Sequence, residues 1–285
     1  MARAEEITAR IGSLKELLEI VSAIRAMAAV QLQQSQRSLG AVREYIEMIR
    51  RALADAAGFL PRDGDSPDPR VERRPGLVVF CSEHGFCGAF NEPLIRAASE
   101  ALRSEANLHL IFVGTRGAQR ASEHGLRAEL TLPSATHSGG VTGVARRLAA
   151  ALYRRFLEQA CTSVEVLFVR EVTGQRPTLE KLRLLPLSVP AVEEKRVELP
   201  PIVNMQPRRL FDELAAEYMF AMLEAAAMES FASENAARFR TMEAAHENIE
   251  NKSSELNRLA HRIRQESVTT EILDLIGGFE AMARR

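Results

Sequence analysis

The sequence segment whose residue types could perform catalysis is SEHGFCGAFN, residues 82–91, which follows the apolar run LVVFC. It places His84 three positions before Cys87, the pair that a cysteine nucleophile and its base would need. No third, orienting group is identifiable, so we predict that Cys87 is a buried structural cysteine. The glycines match neither G-x-G-x-x-G nor G-x-x-x-x-G-K-[ST], so we expect Gly85 and Gly88 to serve a tight strand-to-helix turn rather than a phosphate site.

Other residues with metal-binding or catalytic potential have simpler interpretations. His109 lies in a strand-like run and His246 on a helical seam, where a packed, hydrogen-bonded histidine is the ordinary outcome. The three cysteines are odd in number and poorly spaced for zinc. Four methionines are expected to fill a helical seam: Met219, Met222, Met228 and Met242. We therefore predict no catalytic residue, no cofactor and no metal.

The composition excludes several classes of protein. A formal net charge of -1 gives no reason to expect nucleic acid as a partner. No run of about 18 apolar residues occurs, so we expect no membrane span. The amino-terminal stretch MARAEEITARIGSLKELL contains acidic residues and lacks a continuous apolar core, so we predict neither a secretory signal nor a transit peptide. A reduced, cytoplasmic location fits these features.

The first element that must position any site is a long helix. From Ile7 to Leu53, apolar residues recur in alternating steps of four and three, and only Arg25 and Ser35 interrupt the series. This spacing, sustained over several heptads without a proline, is typical of a coiled coil. We predict that residues 1–60 form an amino-terminal coiled-coil helix.

A break and an alternating α/β region follow. Residues 61–75 concentrate Pro, Gly and Asp, which predicts a break. Beyond it, LVVFC, LHLIFVG and VEVLFVREV have the composition of buried strands. Further strands are predicted near 128–132 and 179–187, and helices over 92–105, 115–124 and 141–160. Alternating strands and helices predict a mostly parallel sheet with helices on its faces, in a domain spanning residues 76–200.

The last segment, residues 208–285, predicts a second coiled-coil helix. No proline follows Pro207, and a heptad series runs from Phe211 to Ile263 with many small or polar seam residues. Two long heptad helices in one chain pair most simply with each other. The predicted fold class is α/β: an antiparallel two-helix coiled coil from the terminal helices plus a central Rossmann-like α/β domain. The carboxyl-terminal helix is the longer, so its excess must protrude or be covered by another protein.

Four motifs, in order along the chain, resemble the gamma subunits of F-type ATP synthases. The first helix contains IVSAIRAMAAVQLQQSQ, and the loop after the first strand is SEHGFCGAFN. The last helix contains ASENAARFRTMEAAHEN and RQESVTTEILDLIGGFEAM. The resemblance covers essentially the whole chain, on the architecture that the periodicity predicts.

The chain also departs from the family pattern. Ser22 and Gln31 stand where the first helix usually has Lys, and His84 stands where the loop usually has Arg. Other departures are Ala89, Ala260 and His261, in place of Gly, Tyr and Asn. These differences suggest a divergent branch, and one candidate is the alternative, sodium-linked F-type ATPase that some bacteria carry beside the housekeeping enzyme.

The resemblance implies a central-stalk rotor without catalytic activity of its own. Such a chain couples ion-driven rotation of the membrane c-ring to ATP synthesis or hydrolysis at the beta-subunit sites. Its expected partners are three alpha and three beta subunits, the epsilon subunit and the c-ring. The expected location is the cytoplasmic face of the bacterial inner membrane, with membrane association only through the complex.

The resemblance also places subunit contacts on particular residues. Arg264, Gln265 and Thr269 fall at the family's polar contacts to a beta-subunit catch loop. The apolar residues of an expected bearing tip are Ile272, Leu275 and Ile276, and the matched residues of the first helix are Ile24 and Met27. A basic group that would face the c-ring and epsilon subunit at the foot contains Lys195, Arg196 and Arg208. For each charged set the alternative is an ordinary solvated helix face.

Two other functions compete with the rotor. A Rossmann-like enzyme with helical arms would need a nucleotide or metal site within residues 76–175, and no such motif is found there. A non-rotary coiled-coil scaffold would need a self-sufficient seam. The small residues at 221–236 argue against such a scaffold and for a helix that another protein sheathes.

Overall fold

The computed structural model describes residues 2–60, 74–105, 107–158, 161–171, 176–187 and 203–283. Helix α1 spans Ala2–Ala57 and helix α5 spans Pro207–Ala283. Among the described residues between them lie five strands, three shorter α-helices and one 3-10 helix, Ser138–Gly140. The chain divides into two compact units: one holds residues 1–27 and 239–285, and the other holds residues 28–238. No helix within the described ranges is long and apolar enough to cross a membrane.

The first unit consists of the amino-terminal part of α1 and the carboxyl-terminal part of α5. Val21 of α1 packs with Met242 and Ile249 of α5 in one apolar cluster. Arg25, which interrupts the heptad series, donates from Nη1 to Oε2 of Glu243 at 3.0 Å. The predicted seam is therefore present, and the charged residue within it has a partner on the opposite helix.

The second unit contains a five-stranded sheet with the order β3-β2-β1-β4-β5. Its strands are β1 (Pro75–Phe80), β2 (His109–Val113), β3 (Leu130–Leu132), β4 (Ser163–Arg170) and β5 (Thr178–Leu185). The first four strands are parallel and β5 is an antiparallel edge strand beside β4. The connecting helices are α2 (Asn91–Ser104), α3 (Thr115–Glu123) and α4 (Val141–Leu157). The Rossmann-like α/β fold predicted from the alternating pattern is confirmed.

Alternating residues of each strand pack against different helices, because successive side chains point to opposite faces. Val78 and Phe80 of β1 belong to a core shared with α4 and α5. Leu77 and Val79 belong to a second core, shared with α2 and α3. Both faces of the sheet are thus covered, as expected for parallel strands that read as continuous apolar runs.

Helices α1 and α5 run antiparallel in this unit. Ile49 and Leu53 of α1 pack with Tyr218 and Ala221 of α5, whereas Leu39, earlier in α1, packs in the core with later residues of α5. Ser35, the other residue that interrupts the heptad series, is fully buried, and its hydroxyl donates to the carbonyl oxygens of Gln31 and Leu32. The polar residue in the seam is therefore satisfied by its own helix.

The small residues at 221–236 do not have the role that their composition suggested. They are mostly buried within the second unit, and Ala226, Ala227 and Ala232 lie in the core beside β1 and β4. A helix that packs closely against a sheet needs small side chains at the contact. The inference that another protein sheathes this stretch is therefore wrong, because the chain's own sheet covers it.

Candidate functional site

Six buried polar residues lie on the stretch of α5 that contacts the loop after β1, residues 81–90. These residues are Glu229, Ser230, Ser233, Glu234, Asn235 and Arg238. We call them the polar clasp. Buried polar groups are costly unless they are hydrogen-bonded, so their partners decide what the clasp does.

Glu234 and Arg238 of the clasp bind the loop backbone directly. The backbone N–H of Glu83 donates to Oε2 of Glu234 at 3.3 Å. Arg238 donates from Nε to the carbonyl oxygen of Gly85 at 3.1 Å and from Nη2 to that of His84 at 3.3 Å. Nη2 also donates to Oε1 of Glu234 at 2.5 Å. Two side chains, one turn apart on α5, therefore fix three consecutive residues of the loop.

The groups around Glu234 shift the pKa of its carboxyl group in opposite directions. Burial raises the pKa of this carboxyl group, while Arg238 and the backbone N–H groups of Glu83 and His84 oppose the rise. The net direction is upward. Burial therefore outweighs these partners, and the pKa of the Glu234 carboxyl lies above its ordinary value.

Glu229 joins three elements at the start of the clasp. Its buried carboxylate pairs with Arg43 of α1. Its Oε1 also lies 3.5 Å from Nε of Arg170 of β4, an ion pair without hydrogen-bond geometry. The guanidinium of Arg170 lies over the ring of Phe168, 5.8 Å from its centroid. One side chain thus ties both long helices to the sheet.

The same stretch of α5 fills the crevice where Rossmann-like domains bind nucleotides. That crevice lies at the carboxyl ends of the strands where the strand order reverses, which here is between β1 and β4. Ser230 donates its hydroxyl to the carbonyl oxygen of Phe80 at 3.4 Å, and Ser233 donates to that of Val169 at 2.9 Å. The chain's own helix therefore takes the hydrogen-bonding groups that a ligand would use there.

The neighbouring helix terminus is occupied as well. Helix α3 begins at Thr115, whose backbone N–H donates to Oε2 of Glu83 at 3.1 Å. The Thr115 hydroxyl donates to Oε1 at 2.8 Å, and the N–H of Ser134 donates to Oε2 at 2.7 Å. A helix amino terminus favours an anion, and Glu83 supplies that anion from within the chain.

The loop follows the sequence prediction in part. Cys87 is buried and burial raises its pKa, which agrees with a structural thiol rather than a nucleophile. Gly88 has a φ of 58° and needs its glycine, as predicted. The prediction for Gly85 is wrong, because the other left-handed residue of the turn is Phe86, with a φ of 62°. Within the described ranges, no group of three or more His, Cys, Asp or Glu residues could hold a metal ion.

Both histidines that we expected to be satisfied have acidic partners. His109 of β2 pairs through Nδ1 with Glu129, which also pairs with Arg155 of α4. Nδ1 of His246 lies 3.6 Å from Oε2 of Glu250 on the next turn of α5. Met228 and Met242 are buried in apolar clusters, as predicted for seam residues.

The residues proposed as subunit contacts lie mostly on exposed faces of the described helices. Arg264, Gln265 and Thr269 of α5 are exposed, and the Thr269 hydroxyl donates to the carbonyl oxygen of Gln265 at 2.9 Å. Ile272 and Ile276 are about half exposed, at 51% and 52%. The side chain of Leu275 lies outside the described residues.

The other proposed contacts are split. On α1, Met27 is 67% exposed, while Ile24 packs partly buried against the apolar cluster of the first unit. Arg208 is exposed in the first turn of α5. Lys195 and Arg196 lie outside the described residues. Of these residues, the ones that the structure describes lie outside the polar clasp.

Comparison with known proteins agrees with this architecture. A family model described as ATP synthase matches residues 3–282. The ATP synthase gamma chain of Acidithiobacillus ferrooxidans is 31% identical over 297 residues, which cover 99% of this chain and 100% of the relative. That of a Geobacter species is 29% identical and covers 99% of each chain. The chain belongs to the family of ATP synthase gamma chains.

Solved structures share its fold. A chain in the Euglena gracilis mitochondrial ATP synthase, in a structure of OSCP, F1 and c-ring, is similar with a TM-score of 0.67. It is 16% identical, and the match covers 99% of this chain and 95% of that one. A chain of the Tetrahymena thermophila mitochondrial central stalk and c-ring has a TM-score of 0.57, over 79% of this chain and 99% of that one.

The fold explains why two of the family-like motifs occur together. SEHGFCGAFN supplies the loop, and ASENAARFRTMEAAHEN supplies Glu234 and Arg238, which hold that loop. Sequence reasoning found both motifs but not their contact. One signal in the sequence could have indicated this contact. Glu234 and Arg238 are four residues apart in a stretch rich in Ala and Ser, and such a stretch is typical of a buried helix face rather than a solvated one.

Proposed function

We propose that this chain is the central-stalk rotor, the gamma subunit, of an F-type ATP synthase. The observation that carries the proposal is the family match over residues 3–282 on a chain with two long terminal helices and one α/β sheet. The chain serves as a subunit of a membrane-bound complex and has no catalytic site of its own. In its complex it transmits rotation of the c-ring to the beta subunits, where ATP is made or hydrolysed.

The polar clasp fits this role mechanically. A rotor that biases several sites by rigid-body motion needs its parts to turn together. Within residues 28–238, Glu229 pairs with α1 and β4, and Arg238 binds the loop after β1. These contacts oppose sliding of α5 along the sheet, since charge-assisted hydrogen bonds are both directional and comparatively strong.

The filled crevice supports the view that this subunit does not itself bind nucleotide in its Rossmann-like domain. Ser230 and Ser233 occupy the carboxyl ends of β1 and β4, and Glu83 caps α3. A nucleotide would have to displace the two serines from buried hydrogen bonds and Glu83 from the N–H groups that it binds. Catalysis is therefore assigned to the beta subunits of the complex.

We further propose the finer features that the family implies. The chain assembles with three alpha and three beta subunits, with epsilon and with the c-ring, at the cytoplasmic face of a bacterial inner membrane. The chain has three functional parts: an amino-terminal coiled-coil helix (residues 1–60), a central α/β domain (76–200) and a carboxyl-terminal coiled-coil helix (208–285). Arg264, Gln265 and Thr269 meet the beta-subunit catch loop, and Ile272, Leu275 and Ile276 form the bearing tip. Ile24 and Met27 contact neighbouring subunits, and Lys195, Arg196 and Arg208 face the c-ring and epsilon.

The test is purification of the tagged chain from its own host. A tag inserted near Asp65, in the segment rich in Pro and Gly, should bring down alpha and beta subunits at three copies each per copy of the chain. Arg264→Ala should weaken ATP hydrolysis by the complex, because the guanidinium can make a bidentate pair with a carboxylate. Arg262→Ala, also an exposed arginine of α5, is the matched control and should leave hydrolysis unchanged. Purification of the chain alone, or as a homo-oligomer, would contradict the proposal and favour a non-rotary scaffold.

A further inference from the structure

Helix α4 begins without a capping side chain of its own. The 3-10 helix Ser138–Gly140 runs directly into α4, so one continuous helical stretch starts at Ser138. At this described start, neither His137 nor Gly140 caps a backbone N–H with its side chain, and the sequence SGGVTGV contains no Asp or Glu. The first N–H groups of a helix have no partner within the helix, and they favour an acceptor or an anion.

Helix α1 supplies acceptors for this start. The backbone N–H of Ser138 donates to Oε1 of Gln31 at 3.1 Å, and the Ser138 hydroxyl donates to Oε1 of Gln34 at 3.1 Å. The two glutamines are neighbours on one side of α1, because they are three residues apart. Leu39 of α1 and Val141 of α4 belong to the same apolar core. Apolar packing therefore holds α1 beside α4, and the glutamines add directional hydrogen bonds.

Helix α5 supplies an anion to the next turn. The Thr142 hydroxyl donates to Oε1 of Glu224 at 2.6 Å. Both side chains are partly buried, and a hydrogen bond to a charged group is stronger there than in water. A carboxylate near the first turn of a helix also suits the positive end of the helix dipole. The beginning of α4 is thus bound to both long helices.

These contacts lie apart from the polar clasp. The clasp binds α5 to the loop after β1 through Arg238 and to β4 through Glu229. The acceptors at α4 attach the α/β fold to the long helices at a second place. Apolar packing is non-directional and resists sliding weakly, whereas hydrogen bonds at two separate places prevent a pivot about either one.

We propose that Gln31, Gln34 and Glu224 are positioning residues that cap α4 from both long helices and so fix the α/β fold rotationally on them. We call these three side chains the α4 joint. The part of the inference that concerns rotation rests on the proposed function, because it assumes that the long helices and the α/β fold turn as one body. The cap itself does not depend on that assumption.

The first experiment measures amide hydrogen exchange of the free full-length chain. Gln31→Met keeps a long side chain but removes the acceptor. Exchange in peptides that cover residues 138–142 should become about tenfold faster, as for loss of a helix cap. The matched control is Gln33→Met, at an exposed glutamine of the same helix, and it should stay within about twofold of the wild type. Gln31→Glu keeps an acceptor oxygen and adds an anion, so exchange should be unchanged or slower.

The second experiment tests the positioning role in the purified complex, reconstituted into vesicles with a potential-sensitive dye. The dye reports transport of either H⁺ or Na⁺ driven by ATP hydrolysis. Gln31→Met combined with Thr142→Val removes one contact to each long helix. At matched rates of hydrolysis, this variant should build a lower membrane potential than the wild type. Loss of folded complex would lower hydrolysis and transport in proportion, so the comparison at matched hydrolysis separates the two causes.

A conservative pair of changes is the rescue. Gln31→Glu combined with Thr142→Ser keeps an acceptor and a hydroxyl, and it should restore the wild-type potential. Equal exchange in Gln31→Met and Gln33→Met would show that Gln31 does not cap α4. An unchanged potential for the first combined variant, or no restoration by the second, would overturn the positioning role. If the wild-type chain purifies without ATPase subunits, the proposed function fails instead, and hydrogen exchange still decides whether α1 caps α4.

Discussion

The guanidinium of Arg238 lies 2.5 Å from the carboxylate of Glu234, and the same guanidinium holds the carbonyl oxygens of two residues in the loop after β1. Both side chains are nearly buried, at 10% and 4% exposed. An ion pair in this position is a weak source of stability, since desolvation offsets much of the attraction. Its effect is geometric: it fixes where the loop lies on α5.

Removing Arg238 should therefore be costly. Arg238→Met should lower the free energy of unfolding of the full chain by about 3–5 kcal/mol, because it leaves the buried Glu234 carboxylate and two carbonyl oxygens without their partner. Urea unfolding followed by circular dichroism measures the change. Arg258→Met, at an exposed position of the same helix, is the control and should change it by less than about 0.5 kcal/mol. Similar values for the two variants would show that the clasp does not depend on Arg238.

The titration of Glu234 should contribute to the pH dependence of the free energy of unfolding. Because burial raises its pKa in the folded chain, the folded state holds this proton more tightly than the unfolded state. The contribution of Glu234 to the free energy of unfolding is therefore greatest below the ordinary glutamate pKa of about 4.3. That contribution is lost as the pH rises through the pKa of Glu234 in the folded chain. The slope contributed is at most about 1.4 kcal/mol per pH unit.

Glu234→Gln tests that assignment, because glutamine keeps the side-chain shape and does not titrate. Urea unfolding of both proteins between pH 4.5 and 7.5, a window chosen to run upward from about the ordinary glutamate pKa, should show a smaller decline with pH for the variant. Parallel curves for the two proteins would mean that Glu234 titrates alike in the folded and unfolded chain. The same variant retains an oxygen for the N–H of Glu83, so loss of the loop contact does not confuse the comparison.

Arg43 and Glu229 should be energetically coupled, since they join α1 to α5 across the seam. Arg43 is 57% exposed and Glu229 only 4%, so the two single changes should be unequal. Glu229→Ala should cost about 2–3 kcal/mol and Arg43→Ala about 1 kcal/mol or less. The double variant should cost less than the sum by about 0.5–1 kcal/mol. Strict additivity in urea unfolding would show that Glu229 depends on Arg170 rather than on Arg43.

Sequence periodicity was sufficient for the elements and their order, for reasons visible in the fold. Heptad residues such as Leu39 and Leu53 lie buried where α1 meets α5. The strand run LVVFC alternates between two cores, as a strand covered on both faces must. Each of these signals is local, because it depends on a side chain and its neighbours a few residues away.

Long-range polar contacts could not be predicted in this way. Glu229 and Glu234 bind groups on other elements, and the local sequence, although it hints that Glu234 is buried, does not show which groups those are. The left-handed Phe86 was also missed, because glycine is the expected residue there and Gly85, beside it, was the obvious candidate. Packing of α5 against the sheet was misread as coverage by another protein, since small residues favour both.

Gly117 of α3 should tolerate no side chain. A Cβ built there would lie 2.1 Å from Cβ of Cys81 and 2.9 Å from Oδ1 of Asn91. Both neighbours are buried, and Asn91 also accepts a hydrogen bond from the N–H of Ser82 at 3.0 Å, so neither can move without disturbing the loop after β1. Gly117→Ala should lower the free energy of unfolding by about 2–3 kcal/mol, as overpacking does in a rigid core.

The matched control is Gly40→Ala in α1, where a Cβ would meet no atom within 4 Å. That change should raise stability by about 0.5–1 kcal/mol, the helix preference of Ala over Gly. Urea unfolding of both variants measures the contrast, and a neutral Gly117→Ala would show that α3 can shift away from β1 at little cost.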